Sequence, residues 1–170
     1  MHVVFSHGLE SGPWGSKITA MAETVRELGA DVTSVDYQGM REPQPRVDKL
    51  LATLDGISDP QVVLVGSSMG GHVATAAATQ RGVAGLFVLA PAFFMPGYEA
   101  LTPSLPPCPV AIVHGWHDDV VPVANSLRYA EGGKVSLHLV DSDHRLSSAL
   151  PEICDWLQSF ILRNVEIGDS

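Results

Sequence analysis

The residues with the clearest chemical potential are a serine between glycines and the acids and histidines that follow it. Ser68 is the middle residue of Gly66-Ser67-Ser68-Met69-Gly70. A G-x-S-x-G sequence that joins a strand to a helix holds its serine on a sharp turn, with the hydroxyl projecting above the sheet. The hydroxyl becomes a nucleophile when a histidine takes its proton and an acid orients that histidine. The motif predicts serine-based covalent chemistry; the alternative is a glycine-rich turn with a solvated serine.

Candidates for the base and the acid follow the last two predicted strands. His144 is the only histidine beyond the candidate acids that lies in a loop directly after a strand, so we predict it as the base. His138 falls inside the alternating segment 135–140 and is interpreted as a structural or surface residue. Asp118 and Asp119 compete for the role of the acid, since only one can face the histidine. Two further aspartates, which flank the histidine, are interpreted as solvated turn residues: Asp141 and Asp143.

An acyl-transfer site also needs two backbone N–H groups that face the developing oxyanion. One is predicted from Met69, at the start of a helix, and the other from Leu9, in the glycine-containing loop after the first strand. We expect His7 to brace that loop rather than to act as a second base. Some apolar residues of the loops around the site are predicted to line an acyl pocket, with plain packing on the sheet as an equal alternative for each: Phe93, Phe94, Met95 and Trp116.

A metal site is the weaker interpretation of the same region. His114, His117, Asp118 and His144 could act as ligands. However, His114 and His117 stand three residues apart in a predicted loop, without a cysteine or further carboxylate at a familiar spacing. We therefore predict no metal ion and no bound cofactor.

Short apolar strands alternate with helical patterns along the whole sequence, which predicts a three-layer αβα sandwich around a parallel sheet. Pro43 and Pro45 are expected in a loop before a short helix, and residues 164–170 in a frayed tail. In such sheets ligands bind beyond the carboxyl ends of the strands. The candidate residues of the site all follow strands, as this rule requires. The predicted strands are 2–6, 31–36, 62–65, 85–90, 109–113 and 134–140.

The bulk properties limit the class of protein. A length of 170 residues predicts a single domain over 1–170. No apolar run approaches the roughly 18 residues of a membrane span, and no signal peptide is visible, so we expect a cytoplasmic protein with no membrane partner. Cys108 and Cys154 are expected to be reduced thiols. The formal charge of −9 argues against nucleic acid as a partner.

With these residues in place, the chain resembles the serine α/β-hydrolases, and most closely the compact bacterial YqiA-type esterases. Three segments carry the resemblance: H-G-x-x-S-x-P with Lys17 beyond it, G-S-S-M-G-G, and H-G-x-x-D-x-x-V-P. It implies that Asp118 is the acid and His144 the base. It also implies a minimal α/β-hydrolase fold with a six-stranded parallel sheet in the order 2-1-3-4-5-6. The short segment between the fourth and fifth strands implies that no cap domain is present.

The combined expectation is a serine hydrolase that cleaves short-to-medium acyl carboxylic esters through an acyl-enzyme. Its partner would be a small-molecule ester. An acyl thioesterase with the same triad is the alternative, with a thioester as its substrate. A binding protein on a hydrolase scaffold is a third possibility, because fold does not fix function. The sequence leaves the oligomeric state open.

Overall fold

Six parallel strands form one sheet in the order β2-β1-β3-β4-β5-β6, as predicted. The structure, a computed structural model, describes residues 1–166. Of the predicted frayed tail, Asn164 ends the last helix and residues 167–170 lie outside the described part. The strands are β1 His2–Ser6, β2 Asp31–Val35, β3 Val62–Ser67, β4 Gly85–Leu89, β5 Val110–Gly115 and β6 Val135–Val140. The helices are α1 Ser16–Glu27, α2 Pro43–Asp55, α3 Met69–Gln80, α4 Val123–Ala130 and α5 Leu150–Asn164.

Helices cover both faces of the sheet, because successive residues of a strand point to opposite sides. In β1, Val3 and Phe5 pack with residues of α1 and α5. Val4, between them, packs with residues of α2 and α3 on the other face. The central strands β3 and β4 are apolar on both faces for this reason, as parallel strands between two helical layers are.

The helix α2 begins earlier than expected. Pro43 and Pro45 belong to its first turn, so the prediction of a loop at these residues was wrong. Proline is compatible with this position, because the first N–H groups of a helix have no intrahelical acceptor and the ring already fixes a helical φ.

The segment between β4 and β5 is a loop held at its base. Within residues 90–109, all of which the structure describes, the only regular element is a 3-10 helix at Glu99–Leu101. The Phe94 N–H donates to Thr102 Oγ1 at 2.9 Å, and Asn125 of α4 donates to the Phe93 carbonyl at 2.9 Å. The chain therefore has the cap-less form that was expected.

Candidate active site

Ser68 lies on a strained turn between β3 and α3. Its φ of 54° and ψ of −120° lie outside the regions that non-glycine residues prefer. Such a conformation costs about 1–3 kcal/mol and persists only where neighbouring contacts hold it. Here the Ser68 N–H donates to the Leu89 carbonyl at 2.9 Å, and the Ser68 carbonyl accepts from the N–H groups of Gly71 and Ala92, each at 3.0 Å. The fold thus forces the hydroxyl outward at the carboxyl end of the sheet.

The turn also packs against the end of β1, and glycine makes this approach possible. A side chain at Gly70 would collide with the carbonyl oxygen of Ser6. A Cβ atom at Gly8 would lie 3.5 Å from Ser68 Cβ, in ordinary contact. The loop after β1 therefore runs directly beside the serine.

His144 and Asp118 complete a chain of hydrogen bonds that ends at the serine. His144 Nε2 lies 3.1 Å from Ser68 Oγ, and His144 Nδ1 lies 2.7 Å from Asp118 Oδ2. Because a carboxylate only accepts, Nδ1 carries the proton and Nε2 presents its lone pair to the Ser68 hydroxyl. The histidine side chain is 20% exposed and that of Asp118 is fully buried.

The competing aspartates take other positions. Asp118 Oδ1 accepts from the N–H groups of Val120 and Val121 at 2.9 and 2.8 Å, which orients the carboxylate. The neighbouring Asp119 is exposed. The two aspartates beside His144 are exposed as well: Asp143 accepts from nearby backbone N–H groups, and Asp141 pairs with His117.

The loop after β1 is braced through its histidine. His7 Nδ1 donates to the Gly8 carbonyl at 2.7 Å, and His7 Nε2 accepts from the Tyr37 N–H at 2.8 Å. Among residues 1–166 the Leu9 N–H has no hydrogen-bond partner. The Met69 N–H opens α3, where the first N–H groups of a helix lack intrahelical acceptors. Neither N–H group is thus bonded to an acceptor within residues 1–166.

A buried cation supports the same loop from α2, and the sequence analysis missed it. Arg46 is 1% exposed and donates from Nη1 to the His7 carbonyl and from Nε to the Met40 carbonyl, both at 2.8 Å. Its guanidinium lies 4.9 Å from the centre of the Tyr37 ring. Burial lowers the pKa of Arg46 and raises the pKa of Tyr37 to about 12. Carbonyl oxygens and an aromatic face thus stabilise the charge.

The predicted pocket residues fall into two groups. Phe93 is fully buried and stacks on Tyr129 at 4.1 Å, so the packing interpretation holds for it. Phe94 is half-buried beneath the Arg128 guanidinium at 3.9 Å, and Met95 is half-buried beside it. Trp116 is 52% exposed. Three of the four side chains are therefore at least partly exposed, and their role in a pocket stays a prediction.

The histidines that were weighed as possible metal ligands, His114 and His117, have other partners. His114 lies in β5 rather than in a loop and is fully buried, while His117 lies 2.8 Å from Asp141 at the surface. His138 stacks on Trp156 at 4.5 Å. Among the described residues, no three histidine, cysteine or acidic side chains are grouped so as to hold a metal ion.

None of the helices in residues 1–166 has the length and apolar character needed to cross a membrane.

Buried histidines make the stability depend on pH. Burial lowers the pKa of His7 and His114 below the ordinary value of 6.5. Below pH 6.5 the unfolded chain binds protons that the folded chain resists, so the free energy of unfolding decreases as pH falls. The expected slope is about 1.4 kcal/mol per pH unit for each such histidine, until its folded pKa is reached. Urea denaturation at a series of pH values from about 8 to 5 would measure it; a constant free energy below pH 6.5 would contradict the prediction.

Comparisons with known proteins agree with this fold. Residues 3–158 match the model of the alpha/beta hydrolase family. A Xanthomonas campestris protein assigned to the alpha/beta superfamily of hydrolases is 29% identical, with a TM-score of 0.86 over 95% of this chain and 98% of that one. Est1E of Butyrivibrio proteoclasticus, with ferulic acid bound, is 18% identical, with a TM-score of 0.84 over 96% and 89%. The Pyrococcus furiosus esterase Pf2001 is 16% identical, with a TM-score of 0.83 over 98% and 83%.

The family model and the two esterase structures support different conclusions. At such low identity the two esterases show the fold alone, and curated protein sequences give no significant match. The closer resemblance to the YqiA-type esterases stays a prediction. The family model, however, spans almost the whole chain, and the sheet order agrees with it. This protein is therefore a member of the alpha/beta hydrolase family.

Proposed function

We propose that this hydrolase cleaves carboxylic esters through an acyl-enzyme on Ser68. The observation that carries the proposal is the continuous hydrogen-bonded chain from Asp118 through His144 to Ser68. Each link has the polarity that the reaction needs, since the acid accepts from His144 Nδ1 and the lone pair of Nε2 faces the hydroxyl. A binding protein would gain nothing from this order of groups.

The reaction follows from these positions. Ser68 Oγ attacks the ester carbonyl while His144 Nε2 takes the hydroxyl proton, and Asp118 stabilises the imidazolium that forms. The Leu9 and Met69 N–H groups hold the oxyanion, helped by the positive end of α3. The imidazolium then gives its proton to the departing alcohol. A water molecule then attacks the acyl carbonyl while His144 takes its proton, and the bond to Ser68 Oγ breaks as His144 returns that proton to the serine, which releases the carboxylic acid. Neither step requires a cofactor.

The surroundings of the site favour small acyl groups. The segment between β4 and β5 is an exposed loop around residue 98, and Trp116 is also exposed, so no cap encloses the substrate. The accessible apolar groups are Phe94, Met95 and Trp116, which offer a short surface for an alkyl or aryl chain. The ferulic acid in Est1E makes esters with an aromatic acyl group worth including among the substrates tested.

A series of p-nitrophenyl esters from acetate to palmitate tests the proposal. We expect turnover of the short esters that falls with chain length, and labelling of Ser68 by a fluorophosphonate. Thioesters of equal chain length run in parallel separate the two reactions of this triad, because faster thioester cleavage would make the protein a thioesterase. An enzyme that neither turns over esters nor reacts with the fluorophosphonate would refute a serine hydrolase.

A further inference from the structure

One buried histidine touches the proposed triad without belonging to it. His114 is the next-to-last residue of β5 and the first residue of the H-G-x-x-D-x-x-V-P motif, and its side chain is fully buried. Its Nδ1 lies 2.7 Å from Ser126 Oγ, and its Nε2 lies 2.8 Å from the Val121 carbonyl. The same Nε2 lies 3.1 Å from Asp118 Oδ2. The reaction described above gives this imidazole no role.

The partners of His114 fix its protonation state. A carbonyl and a carboxylate are both acceptors, so Nε2 carries the proton, which it donates to the Val121 carbonyl while lying 3.1 Å from Asp118 Oδ2. Nδ1 then holds the lone pair and accepts from the Ser126 hydroxyl. Burial lowers the pKa of His114, which keeps the ring in this neutral form at neutral pH. The arrangement has one consistent tautomer.

Asp118 is therefore hydrogen-bonded on every side. Its Oδ1 accepts from two backbone N–H groups, and its Oδ2 accepts from His144 Nδ1 and lies 3.1 Å from His114 Nε2. Three hydrogen bonds and the contact with His114 thus surround this carboxylate. Lys17, in the first turn of α1, interacts electrostatically with Asp118 and also with Asp143 and Arg145 beside His144. Among the described residues none of these three hydrogen-bonds to the carboxylate.

We infer that His114 is a positioning residue of the hydrolytic reaction, whose Nε2–H holds Asp118 Oδ2 in place for His144 and withdraws part of its negative charge. The inference rests on the proposed function. Without this donor, the carboxylate can rotate away from His144, which lowers kcat and leaves KM nearly unchanged. In molecules of the variant whose Asp118 still faces His144, the carboxylate carries more negative charge than in the unaltered protein. This charge favours the imidazolium form of His144, so the acid limb of the kcat/KM profile moves to higher pH.

A pair of amide variants tests the inference, because the two differ only in reach. The terminal amide of glutamine lies where Nε2 of histidine lies, so His114→Gln keeps a donor for Asp118. The amide of asparagine ends where Nδ1 of histidine lies. In His114→Asn it therefore reaches Ser126 but no longer reaches Asp118. We expect His114→Asn to lose about 10- to 100-fold in kcat, the scale for groups that orient a functional side chain. We expect His114→Gln to recover most of that loss.

The controls separate positioning from a purely structural role. His117→Asn removes an exposed histidine three residues further along the chain and should leave kcat and the acid limb unchanged. Equal loss in the Gln and Asn variants, or an acid limb that stays in place in His114→Asn, overturns the inference. A Ser68→Ala protein that retains turnover would instead refute the proposed function itself.

A measurement on the unaltered protein covers the case in which the asparagine variant does not fold. Nitrogen-15 NMR of the imidazole groups distinguishes the two neutral tautomers. We expect His114 to carry its proton on Nε2 across the pH range of activity. A proton on Nδ1 would leave Asp118 without this donor and would overturn the inference.

Discussion

Replacing Ser68 by alanine is expected to lower kcat for a p-nitrophenyl ester by about five to six orders of magnitude, the scale of removing the nucleophile from such a triad. The fold should not change, because the strained turn is held by backbone hydrogen bonds to Leu89 and Ala92 that alanine keeps. Steady-state turnover and thermal unfolding followed by circular dichroism would measure the two effects on the same sample.

A second serine provides the control. Ser136 is exposed near the amino end of β6, so Ser136→Ala should match the unaltered protein in turnover and in fluorophosphonate labelling. A Ser68→Ala protein with activity close to that of the unaltered enzyme would mean that another group performs the reaction.

Replacing Asp118 by asparagine is expected to lower kcat by about four orders of magnitude, as this change does in a Ser-His-Asp triad. The amide oxygen would keep the bonds from Val120 and Val121, so its NH2 group would face His144. Because this NH2 group and the His144 Nδ1–H are both donors, they cannot form a hydrogen bond with each other. His144 would therefore take the other neutral tautomer, in which Nδ1 accepts from the amide. Its Nε2 would then carry a proton and could not accept one from the serine.

The neighbouring aspartate is the matched control for this change. Asp119→Asn alters the next residue in an exposed position, and we expect kcat within about a factor of two of the unaltered enzyme, as for surface substitutions that make no contact. Comparable losses in the two variants would contradict the assignment of the acid. The pair therefore tests by experiment a choice that the residue types alone left open.

The sheet could be predicted from the sequence because its strands are short apolar runs between clear turn signals. The Ser, Asp and His residues could be predicted as a set because parallel strands bring their carboxyl ends to one edge. The choice between Asp118 and Asp119 came from a resemblance. It depends on which carboxylate the turn directs inward, and adjacent residues of a loop do not differ in pattern.

Other features depend on contacts between distant segments. Charged side chains are expected at the surface, so Arg46 gave no sign of burial. Its burial is possible because Met40, His7 and Tyr37 supply two carbonyls and a ring from segments that meet only in the fold. Phe93 likewise packs on Tyr129, a partner more than thirty residues away. His114 was placed in a loop because the end of β5 could not be located from periodicity.

The hydrogen bond from the Phe94 N–H to Thr102 Oγ1 has a consequence for engineering. It joins the two ends of segment 95–101, so the chain leaves the body of the protein and returns at almost the same point. Gly97 and Tyr98 are both exposed, so a peptide or small domain could be inserted between them. The inserted chain would begin and end beside the Phe94–Thr102 hydrogen bond and would not separate β4 from β5. The segment is thus a natural attachment point for a recognition module above the site, one that could restrict this hydrolase to chosen substrates.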